Sequence, residues 1–236
     1  MSPSNKFNHG ITKLRTSSSF TSHEEISAQS GMVVAQHPIA AEVGVEVMQR
    51  GGNAVDAAVT TAFATGVLLP IWNGIGGGGL MTVHLEGGGG GTVDFGMQAP
   101  GLAHSDMFEL EDEQDVQGQS RRFSWSKVKD NANTEGYTSI AIPGTVAGLT
   151  TALEKWGTID LDQAVAPAVK LAREGFALSR TTALAMAERH ALLSRFAATA
   201  TVYLSNGSPL GTGAHFVQSE HADTLERLGR IGASDM

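Results

Sequence analysis

Cysteine is absent from this 236-residue chain, which excludes disulfides, thiolate-ligated zinc and a thiol nucleophile within it. Clustered positive charge is missing too. Sixteen Lys and Arg stand against 24 Asp and Glu, for a net charge of −8, and the cations form no run. The electrostatic footprint of a nucleic-acid binder is therefore lacking, and an anionic membrane surface is an equally poor partner. The most apolar segment, Ala54 to Trp72, carries Asp56 and several threonines and includes Pro70. A membrane helix needs about 20 nearly uninterrupted apolar residues, so this segment reads as a buried core helix. Residues 1–30 are polar, rich in Ser and Thr, and hold no apolar core of the kind a signal peptide requires. They read as a flexible arm, and the chain reads as cytoplasmic if this N-terminus is the native one.

Several common catalytic signatures are also missing. The eight histidines, at 9, 23, 37, 84, 104, 190, 215 and 221, include no H-E-x-x-H pair, so no metal site is expected. His37 and His84 border strand-like runs and read as satisfied core or edge residues. No Gly-x-Ser-x-Gly elbow occurs. Ser124-Trp125-Ser126-Lys127 fits the loose Ser-x-x-Lys pattern, but it sits in a polar stretch without a Ser-Asp-Asn partner and reads as a chance match.

What the chain has in excess is glycine, 29 residues, clustered at turns. Gly31 to Ala35 is a short apolar run suited to a buried strand. Pro38 then suits a first helical turn, and Ile39, Val43, Val47 and Met48 carry the apolar face up to Gly51-Gly52. Asn53 is a good N-cap for a second helix, with Asp56 in its first turn and Pro70 at its end. Leu80 to Leu85 and Thr92 to Phe95 flank a five-glycine loop, Gly87 to Gly91, and predict a hairpin. Residues 109–134 read as an exposed loop or insertion, and Tyr137 to Ile142 as a strand. Helices are expected from Thr145 to Trp156, with Thr145 as cap, from Leu161 to Glu174, from Thr181 to Thr199, and beginning at Ala222. The mixture makes the chain an α+β protein.

Gly74, Gly76 and Gly79 match the dinucleotide fingerprint G-x-G-x-x-G. That fingerprint needs a strand before it and a helix after it, so that the pyrophosphate meets a helix N-terminus. Here a helix precedes and a strand follows, so the glycines read as a turn that lets backbone approach backbone.

Taken in order, several blocks resemble the large-subunit part of γ-glutamyltranspeptidases. They are Gly31-Met32-Val33-Val34-Ala35-Gln36-His37-Pro38, Gly51-Gly52-Asn53-Ala54-Val55-Asp56-Ala57-Ala58, Gly74 to Met81, Ile142 to Leu149, Ala166 to Phe176, and Val217 to Gly232. The resemblance implies an N-terminal-nucleophile hydrolase with an αββα sandwich, incomplete in residues 31–236, and no cofactor. It further implies a precursor that cleaves itself, whose small-subunit segment is the partner of this one. A new N-terminal threonine then attacks a γ-glutamyl or related small-molecule amide, its own amine serves as base, and water or an acceptor amine resolves the acyl-enzyme.

Two departures qualify this. Nothing in the chain resembles the Thr-led start of the small subunit, so no catalytic residue is assigned within it, and self-processing is not expected of it alone. The family's returning strand reads Asp-Phe-Arg-Glu-x-Ala-Pro, its arginine clamping the glutamyl α-carboxylate; here the stretch is Asp94-Phe95-Gly96-Met97-Gln98-Ala99-Pro100. Gly96 and Gln98 are the substrate-binding positions the resemblance assigns, and loss of a bidentate clamp at Gly96 favours an amidohydrolase or acylase acting on another acyl group. A catalytically inactive segment that only folds against a partner is the alternative. Either way the isolated chain is expected to expose strand edges and self-associate.

Overall fold

The computed structural model describes residues 26–111, 116–117 and 125–236; most of the expected arm, and Ser124 of the Ser-x-x-Lys match, lie outside the described residues. Helices α1 (Pro38–Gln49) and α2 (Ala54–Leu68) form the expected helical hairpin. His37 caps α1, its Nδ1 accepting from Ile39 N–H at 3.2 Å, and burial lowers its pKa. Gly51 turns the chain at φ +97°, a conformation that favours glycine. The two helices touch closely: a Cβ at Gly44 would lie 2.3 Å from the Thr61 hydroxyl.

Strands β1 (Gly79–Leu85) and β2 (Gly89–Phe95) pair antiparallel, with Leu80 opposite Asp94 and Thr82 opposite Thr92. One face of this hairpin, Met81, Val83, Leu85, Val93 and Phe95, turns to the core. The other is open, with Leu80 72% exposed. Short strands β3 (Val116–Gln117) and β4 (Trp125–Ser126) follow. Then come α3 (Thr145–Trp156), α4 (Leu161–Glu174), β5 (Phe176–Ala177) and three short helices, α5 (Arg180–Glu188), α6 (His190–Arg195) and α7 (Ala197–Tyr203). Strands β6 (Leu204–Ser205), β7 (Ser208–Pro209) and β8 (His215–Phe216) lead into α8 (Ser219–Ile231). The sheets among the described residues are all two-stranded, so the class is α+β, and the broad sheets of an αββα core are not formed by these residues alone.

Helix α2 is the centre of the core. Val59, Ala64, Val67 and Leu68 are almost wholly buried, together with Val165, Ala168 and Ala172 of α4 and Ala222, Leu225 and Leu228 of α8. Its position is set by Asn53 and Asp56. The Asn53 side chain accepts from Val55 and Asp56 N–H, and Asp56 returns the bond by accepting from Asn53 N–H at 2.7 Å. The same carboxylate, fully buried, accepts from Thr158 N–H (2.7 Å), Thr158 Oγ1 (2.6 Å) and Ile159 N–H (3.3 Å). Asn53 Nδ2 donates to the Trp156 carbonyl. One capping box thus holds the junction between α3 and α4, about 100 residues later in the chain.

Five expectations differ. Gly31 to Ala35 joins no strand among the described residues, with Met32 and Val34 exposed; an apolar run becomes a strand only where a neighbour supplies the ladder. Tyr137–Ser139 is a 3₁₀ turn. There Thr138 and Ser139 hydroxyls donate to the Ala132 and Gly136 carbonyls, a local alternative to the ladder; only Ile142 bridges, to Gln98. The single helix expected from Thr181 to Thr199 breaks at Arg189 and Phe196, where Phe196 packs edge-on against Tyr137 at 5.6 Å. Finally, Gly144 and not Thr145 occupies the cap of α3, and the loop around 109–134 contains a ladder, Glu109 and Glu111 bonding to Lys129 and Lys127.

Asp56→Asn is expected to cost about 3 kcal/mol in a urea titration, because an amide nitrogen would face donors in a buried site. Burial alone would raise the Asp56 pKa, but the bonds from Thr158, Asn53 and Ile159 outweigh it and hold the value below 3.8. Its contribution is therefore present above the ordinary carboxylate range and is lost as pH falls through the depressed folded value. An unchanged midpoint at neutral pH would remove Asp56 from this role. Both outer edges of the β1–β2 hairpin lack a partner among the described residues. Sedimentation velocity should accordingly show the chain self-associating, with Leu80→Lys shifting it toward monomer; a monodisperse parent chain would contradict this.

Candidate functional site

The site is built where backbone meets backbone. Residues 70–79 leave α2 and run under the N-terminus of α3, whose Gly144 and Thr145 N–H groups both donate to the Gly77 carbonyl, at 2.9 and 3.1 Å. A Cβ at Gly66 would stand 3.3 Å from Gly74 Cα, one at Gly78 only 2.7 Å from the Phe95 carbonyl, and one at Gly144 only 2.2 Å from it. The Phe95 ring fills the space left by Gly148, where a Cβ would lie 2.1 Å from its Cγ. The glycines therefore serve close packing, as their order between a helix and a strand implied.

This packing leaves a cleft of about 690 Å³ between the glycine loop, Phe95, the first turn of α3 and the start of α8. Thr145, Tyr203, Gln218 and His221 line it. Gln218 is anchored, its Nε2 donating to the Val67 carbonyl at 2.8 Å. Burial lowers the His221 pKa and raises that of Tyr203, so both side chains are neutral near pH 7.

Gly96 and Gln98 sit beside this cleft and do not line it. Gly96 follows β2, is exposed, and donates its N–H to Asp94 Oδ1 at 2.9 Å. Gln98 exchanges two backbone bonds with Ile142 (3.1 and 2.8 Å), which ties this segment to the approach of α3, and its side chain is exposed. Motif reading missed Tyr203, Gln218 and His221. They lie more than 120 positions beyond the glycine loop, and no local pattern marks them. Among the described residues no three His, Asp or Glu side chains gather as a metal site. Lys127 of the Ser-x-x-Lys match is ion-paired to Glu111 at 2.6 Å.

The family model for gamma-glutamyltranspeptidase matches residues 40–236. The chain belongs to the γ-glutamyltranspeptidase family. It is 39% identical over 206 residues to a glutathione hydrolase proenzyme of Bacillus subtilis, covering 86% of this chain and 33% of that protein. It is 36% identical over 203 residues to an acylase ACY 1 proenzyme of a Pseudomonas species, covering 86% and 35%. Among solved structures, the γ-glutamyltranspeptidase of Helicobacter pylori superposes with a TM-score of 0.79 at 33% identity, covering 89% of this chain and 57% of that one. The enzyme from Pseudomonas nitroreducens, complexed with L-DON, gives 0.74 at 31%, with 89% and 57% covered. These are N-terminal-nucleophile hydrolase folds. The chain spans about a third of the length of the curated relatives it matches.

In an ordinary helix, Gly→Ala stabilises slightly. At Gly148 the Phe95 ring reverses the sign, and Gly148→Ala is expected to cost about 2 kcal/mol through overpacking. Combining it with Phe95→Leu should recover part of the loss. Strictly additive effects in chemical denaturation would show that the two residues do not share this contact.

Proposed function

We propose that this chain supplies the large-subunit part of an amide-cleaving enzyme whose acyl group is not a free γ-glutamyl group. Family membership supports the reaction class. In the mechanism that membership implies, an N-terminal threonine in a small-subunit segment of the same precursor attacks the amide carbonyl. Its hydroxyl proton passes through its own amine to the leaving nitrogen, forming an ester, and water or an acceptor amine then releases the acyl group. Backbone N–H donors take up the negative charge on the carbonyl oxygen. No residue described above is assigned as the nucleophile.

The acyl preference rests on Gly96. The family arginine at this position would present a planar fork to an α-carboxylate; glycine presents nothing, and among the described residues no cation is ion-paired to the neighbouring Asp94. The position does not require glycine. Its φ is not in the left-handed region, and the nearest atom to an added Cβ is Asp94 Oδ1, 3.3 Å away. The absence of arginine is thus a matter of side chain and not of backbone, which supports a changed specificity. Relatives in the family that are named acylases are consistent with this reading.

The test is hydrolysis of a γ-glutamyl anilide against simple acyl anilides, using the longest product the native locus encodes. The expected pattern is preference for the simple acyl groups, with Gly96→Arg raising kcat/KM for the glutamyl substrate by about tenfold or more. Efficient glutamyl turnover that Gly96→Arg leaves unchanged would overturn the acyl assignment. Silence on every amide would overturn the enzymatic reading and leave a segment that only folds against a partner.

A further inference from the structure

Glycine in place of the family's arginine at position 96 leaves a charge behind. Asp94, two residues earlier, is exposed, and its Oδ1 accepts from the Gly96 N–H at 2.9 Å. A Cβ at position 96 would stand 3.3 Å from that same oxygen, so the carboxylate lies where a side chain at 96 would begin. Among the described residues Asp94 takes no other hydrogen bond and no ion pair. An unpaired surface carboxylate is ordinary by itself. Its surroundings are less so, because no Lys or Arg occurs between Arg50 and Arg121, while Glu86, Asp94 and Asp106 fall within that span. The next lysines that the structure describes, Lys127 and Lys129, are held by Glu111 and Glu109. The glycine loop and both strands of the β1–β2 hairpin therefore supply negative charge alone.

The exposed side chains beside this carboxylate are aliphatic. Leu80 stands opposite Asp94 in the ladder and is 72% exposed, and Met97, next to Gly96, is 59% exposed. Within β1 and β2 Asp94 is the only Asp or Glu. The Thr82 and Thr92 hydroxyls, on the same face, bond to each other and leave it alone. We propose that Asp94 sets the charge preference of the acyl site: it receives the ammonium of an acyl chain that bears an amine and no carboxylate, the methylene stem lying along Met97 and Leu80. Asp94 has this role only if Gly96 marks the acyl-recognition position, as proposed above. The α-carboxylate of a γ-glutamyl group meets a like charge there with no cation to offset it, whereas an ammonium meets an opposite one. Between groups that stay in contact with water, such an interaction is worth up to about fivefold in an equilibrium or a rate.

Four nitroanilides separate the charges, assayed with the longest product the native locus encodes: γ-glutamyl, 4-aminobutyryl, glutaryl and butyryl. The 4-aminobutyryl group is γ-glutamyl without its α-carboxylate, glutaryl is γ-glutamyl without its amine, and butyryl lacks both. The expected order of enzyme-dependent kcat/KM is 4-aminobutyryl above butyryl above glutaryl, each step about fivefold at low salt, with γ-glutamyl below 4-aminobutyryl. The preference for 4-aminobutyryl over butyryl should fall towards one in about 0.5 M NaCl. It should fall likewise in Asp94→Asn, whose amide oxygen still accepts from the Gly96 N–H. Both readouts are ratios within one enzyme, so a loss of folded protein cancels, and the salt series needs no variant. Butyryl turnover without an amine preference, a preference for glutaryl, or an amine preference that survives Asp94→Asn overturns the role of Asp94 and leaves the amide-cleaving reading in place. A γ-glutamyl rate above that of 4-aminobutyryl overturns it together with the acyl assignment at Gly96. Silence on all four removes the enzymatic reading and the role of Asp94 with it.

Discussion

A single buried carboxylate carries more of this architecture than any apolar contact. Asp56 has no exposed surface, and such a charge is tolerable only when donors replace the water it has lost. Its donors come from two places far apart in sequence: Asn53, three residues before it, and the Thr158–Ile159 turn. Satisfying one charge therefore fixes both the start of α2 and the junction of α3 with α4. Asn53 doubles the tie through the Trp156 carbonyl. The small side chains of α2 then let α1, α3 and α4 crowd around it, and α8 packs in turn on α4.

From that anchor the rest of the site follows by exclusion of side chains. With α2 and α3 held together, the segment between α2 and β1 must pass through a gap that admits backbone alone, which is what Gly66, Gly74, Gly78 and Gly144 provide. Gly148 opens the same gap for the Phe95 ring. The cost is a loop whose amides lack acceptors and a cleft that no charged residue lines. Glycine-rich turns are commonly taken as phosphate cradles, but here the helix lies before the loop and its hydrogen bonds run from α3 into the Gly77 carbonyl.

In the proposed reading, the reaction chemistry and part of the substrate recognition lie in different segments of the protein. The nucleophile implied by the family belongs to another segment, while the described residues shape the surroundings of Gly96 and the neighbouring cleft. Gly96 directly follows β2 and donates its amide to Asp94 Oδ1, and Gln98, two residues on, bridges to Ile142. The position is exposed, so under the proposed reading a different side chain there would alter recognition without disturbing the core.

Much of the frame was legible locally. The Asn53–Asp56 cap, the glycine break before it, the existence of the β1–β2 hairpin (although its second strand begins at Gly89 and not Thr92) and the helices ending at Trp156 and Glu174 all follow from capping and turn chemistry within a few residues. The family was legible too, because its blocks occur in order. What only the tertiary structure decided was anything requiring a distant partner. Val33 and Val34 form no strand because no described neighbour supplies a ladder, and Tyr137 to Ser139 turns because its hydroxyls find local carbonyls first. Arg189 and Phe196 interrupt the helix expected from Thr181 to Thr199, and Phe196 packs edge-on against the distant Tyr137. The meeting of Thr145, Tyr203, Gln218 and His221 around the glycine loop has no sequence signature at all. Periodicity and caps report energies between neighbours in the chain, whereas a cleft is made by residues that become neighbours only after the helices have packed.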